Sequence, residues 1–288
     1  MRNFPKKIVI IGVGLIGASL ALGLKKYFGA KISILGSCST PKKTKSALED
    51  HIIDSGIFNI KNIPKDVKLI ILATPVKTSV EILKIIGKSA LRNCLIMDVG
   101  STKQFIINAA NKLQTPGISF IGTHPMAGKE ASGFKHADAN LFRNKPWIVC
   151  NEVTTSTKDL NIVKNILTIL GARLFLMDAQ KHDELTSYIS HVQLVLSSIL
   201  INLVSGQKNW KKMRSIASNS FRYATRGASH NPLVKTDIVL TNKTNIIKAL
   251  ENIKKEIDKF CQMLSQSDEK QLLSYFHNAK LIRDEWLN

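Results

Sequence analysis

An α/β fold is predicted, with an N-terminal doubly wound parallel-sheet domain over residues 1–178 and an all-helical C-terminal domain over 179–288. Three observations lead there. Short β-branched runs alternate with helical-period segments as far as Met177. A glycine-rich turn follows the first of those runs at once, and from His182 onward the sequence keeps a helical period with almost no strand signal.

Lys7–Ile11 carries the first run, followed by Gly12-Val13-Gly14-Leu15-Ile16-Gly17 and an apolar helical segment from Ala18 to Leu24. Strand, glycine turn and helix in this order make the fingerprint of a Rossmann-type dinucleotide site. Gly12 allows the tight turn, Gly14 lets a pyrophosphate reach the backbone, and Gly17 lets helix and strand pack closely. The anion would sit on the helix N-terminus at Leu15 and Ile16, where unpaired N–H groups and the helix dipole favour negative charge.

The second strand is read as Lys31–Leu35. Sites for NAD usually place Asp or Glu at its end to bind the ribose hydroxyls. Here the chain reads Gly36-Ser37-Cys38-Ser39-Thr40, with Lys42, Lys43 and Lys45 just beyond. Ser37, Ser39, Thr40 and Lys42 offer hydroxyls and a cation where a carboxylate would repel a 2′-phosphate, so NADP is favoured over NAD. Asp in place of Gly36 is then expected to shift preference towards NAD. The same residues also suit a helix start, with Pro41 at its first position.

Further strands are read at Leu69–Ala73, closing on the candidate cofactor contacts Thr74 and Pro75, and at Cys94–Val99, closing on Gly100-Ser101-Thr102-Lys103. Helices follow at about 78–88 and up to about 113. Trp147–Cys150 and Arg173–Met177 flank an amphipathic helix at 160–170. In the helical part, segments are read at 182–204, 209–224, 243–264 and 269–287, with Ser265 and Asp268 spaced like a capping box.

The most informative stretch is residues 119–134. Its apolar strand, Ile118–Ile121, is expected to stop at Gly122, presenting Thr123 and His124 before Pro125. Open parallel sheets bind ligands beyond the carboxyl ends of their strands, which is where this histidine falls. A histidine that merely caps the strand is the plainer alternative.

Composition narrows the function classes. Hydrophobic content of 44% with 22% charged residues suits a globular protein. The longest apolar stretch, Val192–Val204, is interrupted by Ser197, Ser198 and Asn202, so no membrane span is expected. The chain enters its first strand without a signal-peptide pattern, and its four cysteines show no CxxC spacing. A reduced cytoplasmic protein without a metal site is expected. The net charge of +20 comes from 33 Lys and 8 Arg spread along the chain, with no nucleic-acid motif, so no nucleic-acid partner is expected.

Taken together, Gly-Val-Gly-Leu-Ile-Gly-Ala-Ser-Leu-Ala (12–21), Asp-Val-Gly-Ser-Thr-Lys (98–103), Gly-Thr-His-Pro-Met-Ala-Gly-Lys-Glu-Ala-Ser-Gly (122–133), Leu-Phe (141–142), Ser-His (190–191) and Phe-Arg-Tyr-Ala-Thr-Arg (221–226) resemble the prephenate/arogenate dehydrogenase family of tyrosine biosynthesis. The resemblance implies oxidative decarboxylation: hydride leaves C4 of a cyclohexadienyl ring for the nicotinamide, carbon dioxide leaves C1, and the ring becomes aromatic. It implies that His124 accepts the proton of the C4 hydroxyl and that Ser101 helps hold both that hydroxyl and His124. It makes Arg226 the binder of a substrate carboxylate, with Arg222 as a helper four residues earlier. His191 lines the pocket or is a satisfied core histidine, and Glu130 is a gate or a solvated loop carboxylate. A homodimer through the helical domain also follows from the resemblance.

The chain departs from the family pattern near the substrate side chain. Many members carry Ser-His-x-Pro-His where this chain reads Ser190-His191-Val192-Gln193-Leu194. Tyr223 stands where Asp is common and Gly227 where Ile is common. The reaction is untouched by these changes, while the choice between prephenate and arogenate stays open. Two other readings are a β-hydroxyacid or imine-type dehydrogenase, which would leave the His124 block unexplained, and a dinucleotide sensor, which would predict a clustered basic surface.

Overall fold

The computed structural model describes residues 4–113, 115–129, 131–150 and 156–287 of the 288-residue chain. The first half alternates β1 (Lys7–Ile11), α1 (Leu15–Phe28), β2 (Ser33–Ser37), α2 (Pro41–Glu49), β3 (Ser55–Gly56), β4 (Leu69–Leu72), α3 (Val76–Gly87), β5 (Cys94–Asp98) and α4 (Gln104–Asn111). It continues with β6 (Ile118–Pro125), β7 (Pro146–Cys150), α5 (Thr157–Ile169) and β8 (Arg173–Met177). The strands form one sheet in the order β3-β2-β1-β4-β5-β6-β7-β8. Connections reverse direction at β1 and β4, the switch point where doubly wound sheets bind nucleotides. Residues alternate between two cores: Ile8 and Ile10 face one, Val9 and Ile11 the other. Strands buried on both faces explain why the sequence shows continuous apolar runs.

One strand differs from the sequence reading. β6 does not stop at Gly122 but runs on to Pro125, because β7 pairs with it antiparallel, Gly122 against Cys150 and His124 against Ile148. His124 is therefore held inside a strand, with a fixed backbone, rather than on a loop.

From residue 179 the chain is helical: α6 (Ala179–Thr186), a π-helical turn at Ser187–His191, α7 (Val192–Ser205), α8 (Trp210–Ile216), α9 (Asn219–Ala224), α10 (Pro232–Thr241), α11 (Lys243–Ser265) and α12 (Glu269–Leu287). The segment read as one helix at 209–224 is split in two, since Ala217 adopts extended backbone (ψ 130°). The α6–α7 rod spans 27 residues and by length and composition could cross a membrane, contrary to the reading that Ser197, Ser198 and Asn202 break it. Serine and asparagine are tolerated in a continuous helix. The rod's buried polar residues His182, Asp183, Ser187 and His191 serve contacts within the protein described below.

Compactness divides the chain at Met1–Lys243 and Thr244–Asn288, beyond the change to helical structure at 178. The helices 179–241 are tied to the sheet domain by helix capping. Asp183 accepts the backbone N–H groups of Lys103 (2.8 Å) and Gln104 (2.9 Å) at the start of α4. Asp237 on α10 accepts that of Lys77 at the start of α3 (3.2 Å). Carboxylates at helix N-termini are favoured by both the orphan N–H groups and the dipole. Thr102 and Thr241 add a hydroxyl pair at 2.8 Å. In the second unit, Phe260, Tyr275 and Phe276 cluster between α11 and α12. Asp268, rather than Ser265, caps α12, accepting the Gln271 N–H at 2.9 Å; Ser265 closes α11.

The strand ends that matter are braced by a fully buried ion pair, Asp98 and Lys103. Asp98 also accepts the N–H groups of Gly100 (2.9 Å) and Thr123 (3.1 Å), while the Thr123 hydroxyl donates to the Asp98 carbonyl (2.6 Å). Burial raises the Asp98 carboxyl pKa, and the ammonium with the two N–H donors opposes that shift. Lys103→Met is expected to cost about 3–5 kcal/mol by stranding the carboxylate. Urea unfolding should show it, with most of the loss recovered in the double variant Asp98→Asn/Lys103→Met.

Candidate active site

The glycine turn has the shape a pyrophosphate requires. Gly12 adopts φ +97°, and a Cβ there would lie 2.5 Å from the Ala73 carbonyl oxygen. A Cβ on Gly17 would lie 2.4 Å from the Gly12 oxygen, while Gly14 faces open space. Gly14 is the N-cap of α1, whose first turn holds no acidic residue, so the N–H groups at Leu15 and Ile16 are presented to an anion. Thr74 and Pro75 border the turn at the end of β4. The Thr74 hydroxyl is tied to that of Ser79 (2.7 Å), and Pro75 caps α3. These residues fit a dinucleotide.

At the adenosine end, a cleft of about 400 Å³ is lined by Ser37, Cys38, Ser39, Thr40, Phe58 and Lys61, of which Phe58 and Lys61 went unnoticed in the sequence. Thr40 caps α2 through the Lys43 N–H (3.3 Å), and the Lys43 amine reaches the Ser39 hydroxyl (3.5 Å). Lys42 is exposed. The reading of Gly36 as the carboxylate position is corrected: a Cβ there would lie 2.6 Å from Ile53 Cγ2 and 2.8 Å from Val13 Cγ2, inside the core. Cys38, just past β2 and half-buried, turns its thiol to the Val13 carbonyl of the glycine turn, 3.5 Å away.

At the other end of the site, His124 belongs to a buried chain of three residues. His182 Nδ1 lies 2.8 Å from Asp183 Oδ1, and His182 Nε2 lies 2.8 Å from His124 Nδ1. A carboxylate can only accept, so the network assigns the His182 proton to Nδ1. His182 Nε2 then accepts from His124 Nδ1–H, which leaves the His124 lone pair on Nε2. That atom has no hydrogen bond among the described residues, yet it is not sealed in. The partnerless buried polar side-chain atoms there are Trp147 Nε1 and His191 Nε2.

Burial lowers the His124 pKa well below the usual imidazole value, with help from His182, the Lys103 ammonium and His191. Burial likewise lowers His182, against the opposing Asp183 carboxylate, and takes His191 down to about 4. All three rings are thus neutral near pH 7. A neutral imidazole with an outward lone pair, backed by a carboxylate relay, is a general base for a hydroxyl proton.

The other expected residues divide. Ser101 is half-buried beside this cluster, and its backbone carbonyl pulls on the His191 ring proton; the group orienting His124 is His182 rather than Ser101. His191 is fully buried and bonded to Asn242 (3.0 Å). Arg222 and Arg226 lie exposed on α9 and the following 3-10 turn, outside the buried cluster. Glu130 lies outside the described residues. His182, Asp183 and Asn242 were missed: they lie 58 to 118 residues from His124 in sequence, and His182-Asp183 resembles an ordinary helix start. Among the described residues no group of three or more His, Cys, Asp or Glu is arranged to hold a metal.

Three histidines buried neutral make stability pH-dependent. Their folded pKa values lie below the unfolded value of 6.5, so the unfolded chain binds more protons in acid. Stability should be full above pH 6.5 and fall as the pH drops below it. His191 alone would contribute a loss of about 3 kcal/mol by pH 4. Thermal melts between pH 8 and 4 check this, with His191→Gln flattening the curve.

Comparison with known proteins agrees with this geometry. Residues 20–176 match the family model of the prephenate dehydrogenase nucleotide-binding domain, and residues 178–278 that of the prephenate dehydrogenase dimerization domain. A prephenate dehydrogenase of Lactococcus lactis subsp. cremoris is 35% identical over 281 residues, 96% of this chain and 77% of that protein. The crystal structure of prephenate dehydrogenase from A. aeolicus in complex with hydroxyphenyl propionate and NAD+ gives a TM-score of 0.90 at 27% identity, covering 97% of this chain and 98% of that one. That of Synechocystis arogenate dehydrogenase gives 0.80 at 28% identity, covering 97% and 99%. With a glycine turn shaped for a nicotinamide dinucleotide and a neutral histidine base across the sheet from it, the chain belongs to the prephenate dehydrogenase family.

Proposed function

We propose that this enzyme oxidises and decarboxylates prephenate or arogenate in tyrosine biosynthesis, with NADP preferred over NAD. The observation that carries this reading is the His124 lone pair, directed out of the cluster by the His182–Asp183 relay. When bound, the nicotinamide supplies the hydride acceptor. As hydride leaves C4 of the substrate ring, His124 Nε2 takes the C4 hydroxyl proton and the carbonyl forms. The C1–carboxylate bond then breaks and its electron pair enters the ring. Carbon dioxide leaves, the electron pair ends on the C4 oxygen, and that oxygen takes the proton back from His124 as the phenol of an aromatic product. The positive charge gained by His124 is stabilised by the Asp183 carboxylate, which also holds His182 as the acceptor of the His124 Nδ1–H. Ser101 holds the reacting hydroxyl and Arg226 a substrate carboxylate with Arg222 as its helper; Glu130, which lies outside the described residues, is assigned a gating role by the family resemblance.

NADP is supported by the hydroxyls of Ser37, Ser39 and Thr40 and by the amines of Lys42 and Lys43, with no carboxylate after β2. The reading includes a cytoplasmic homodimer, with residues 1–178 binding dinucleotide and 179–288 the substrate and partner. Exposed Ile189, Ile199 and Leu203 on the α6–α7 rod support the pairing. His182, Asp183, Ser187, His191 and Ser197 of that rod are buried in the protein, while Lys181 and Glu184 pair on its surface, which suits a partner rather than a membrane.

Turnover should depend on neutral His124. In kcat/KM the acid limb is expected to lie below pH 6.5, since burial depresses this imidazole. His124→Asn should lower kcat by about 10²–10⁴ with dinucleotide affinity unchanged. Arg226→Ala should raise substrate KM by about 1.5–3 kcal/mol in binding. Prephenate and arogenate, each assayed with NAD and NADP by the appearance of reduced nicotinamide, test substrate and cofactor together. Cys38→Asp should shift preference from NADP to NAD. Silence with all four pairs would overturn the proposed activity.

A further inference from the structure

We propose that Asn242 is a positioning residue that locks His191 as a hydrogen-bond donor at Nε2, so that this wall of the pocket reads an acceptor oxygen on the substrate. The part played by the substrate rests on the function proposed above. The lock itself is a property of the free protein.

The argument starts from one amide. Asn242 Nδ2 lies 2.7 Å from the backbone carbonyl of Asp183, which can only accept, so the nitrogen is the atom placed there. The same nitrogen lies 3.0 Å from His191 Nδ1. Its second hydrogen points to a ring atom that must therefore carry a lone pair. A neutral imidazole with its lone pair at Nδ1 holds its proton at Nε2. The ring stays neutral because burial takes its pKa down to about 4.

His191 is fully buried, and its Nε2 has no hydrogen-bond partner among the described residues. The other such atom, Trp147 Nε1, belongs to a core side chain packed on Phe142. His191, by contrast, stands within electrostatic reach of His124, and the Ser101 carbonyl attracts its proton without completing a bond. A buried N–H left open beside a general base is where a ligand oxygen completes the pattern. His191 also ends the π-turn of the α6–α7 rod, a register shift that aims this ring differently from a regular helix. The pocket thus carries two neutral imidazoles of opposite sense, His124 accepting and His191 donating.

The test uses full-length protein labelled with ¹⁵N-histidine, His191 being assigned by difference from His191→Gln. In the free enzyme Nε2 should give the shift of a protonated nitrogen and Nδ1 that of an unprotonated one. The reverse pattern would overturn the lock whatever the enzyme turns over. In Asn242→Leu the Nε2–H form should lose its dominance, and KM for prephenate or arogenate, whichever the wild type uses, should rise about tenfold or more. KM for the dinucleotide should stay unchanged. A changed tautomer with unchanged substrate KM would remove the substrate-reading role. If Asn242→Leu does not fold, His191→Gln, which keeps a donor, should hold a lower KM than His191→Phe; equal losses would overturn the proposal. Failure of the wild type on both substrates would instead overturn the proposed activity, and leave the spectrum to judge the lock.

Discussion

Asp183 is the residue through which the two halves of the site are made to agree. Its carboxylate takes the first N–H groups of α4 and the Nδ1 proton of His182, while its backbone carbonyl takes the amide of Asn242. One oxygen set therefore docks the helical region onto the β5–α4 turn and fixes the outward lone pair of His124. The backbone oxygen begins the second chain, towards His191. Geometry and proton placement have a common origin, so a shift of α6 would disturb all three rings together.

The electrostatics follow from burial. Three buried imidazoles cannot charge cheaply, and at His124 and His182 the Lys103 ammonium discourages it further. That ammonium is itself tolerable because Asp98 holds it, and Asp98 in turn grips the backbone on both sides, at Gly100 and Thr123. A buried ion pair is weak evidence of stability on its own account. Here it ties the turn bearing Ser101 to the strand bearing His124. In the proposed reaction those two residues meet one hydroxyl, which would give the pair a geometric use.

Much of this was legible in the sequence. The glycine turn, the alternation of strand and helix and the helical second half came from local patterns, while the role given to His124 came from the family resemblance of the block around it. What escaped depended on distant partners. β6 runs past Gly122 only because β7 arrives antiparallel, and a glycine alone cannot reveal that. Gly36 looked free to take a carboxylate until Ile53 and Val13 were seen to fill its space. His182 and Asp183 resembled the polar start of any amphipathic helix, and Asn242 a break between helices. Their roles come from contacts across the fold. At Ser265 and Asp268 the spacing suggested the cap correctly but attached it to the wrong member of the pair.

The capping of α3 and α4 by Asp237 and Asp183 bears on how far this protein can be taken apart. A gene cut after residue 178 would encode every strand of the sheet and the whole glycine turn, which makes it look like a ready-made module. Yet that fragment would leave the leading N–H groups of two helices without their carboxylates, next to the very strand ends that face the ligand. The nucleotide-binding half is a module in topology, while the ends of its helices are finished by residues borrowed from the other half. Recombination that exchanges the helical halves between such enzymes would have to carry both aspartates along, or supply new caps with each exchange.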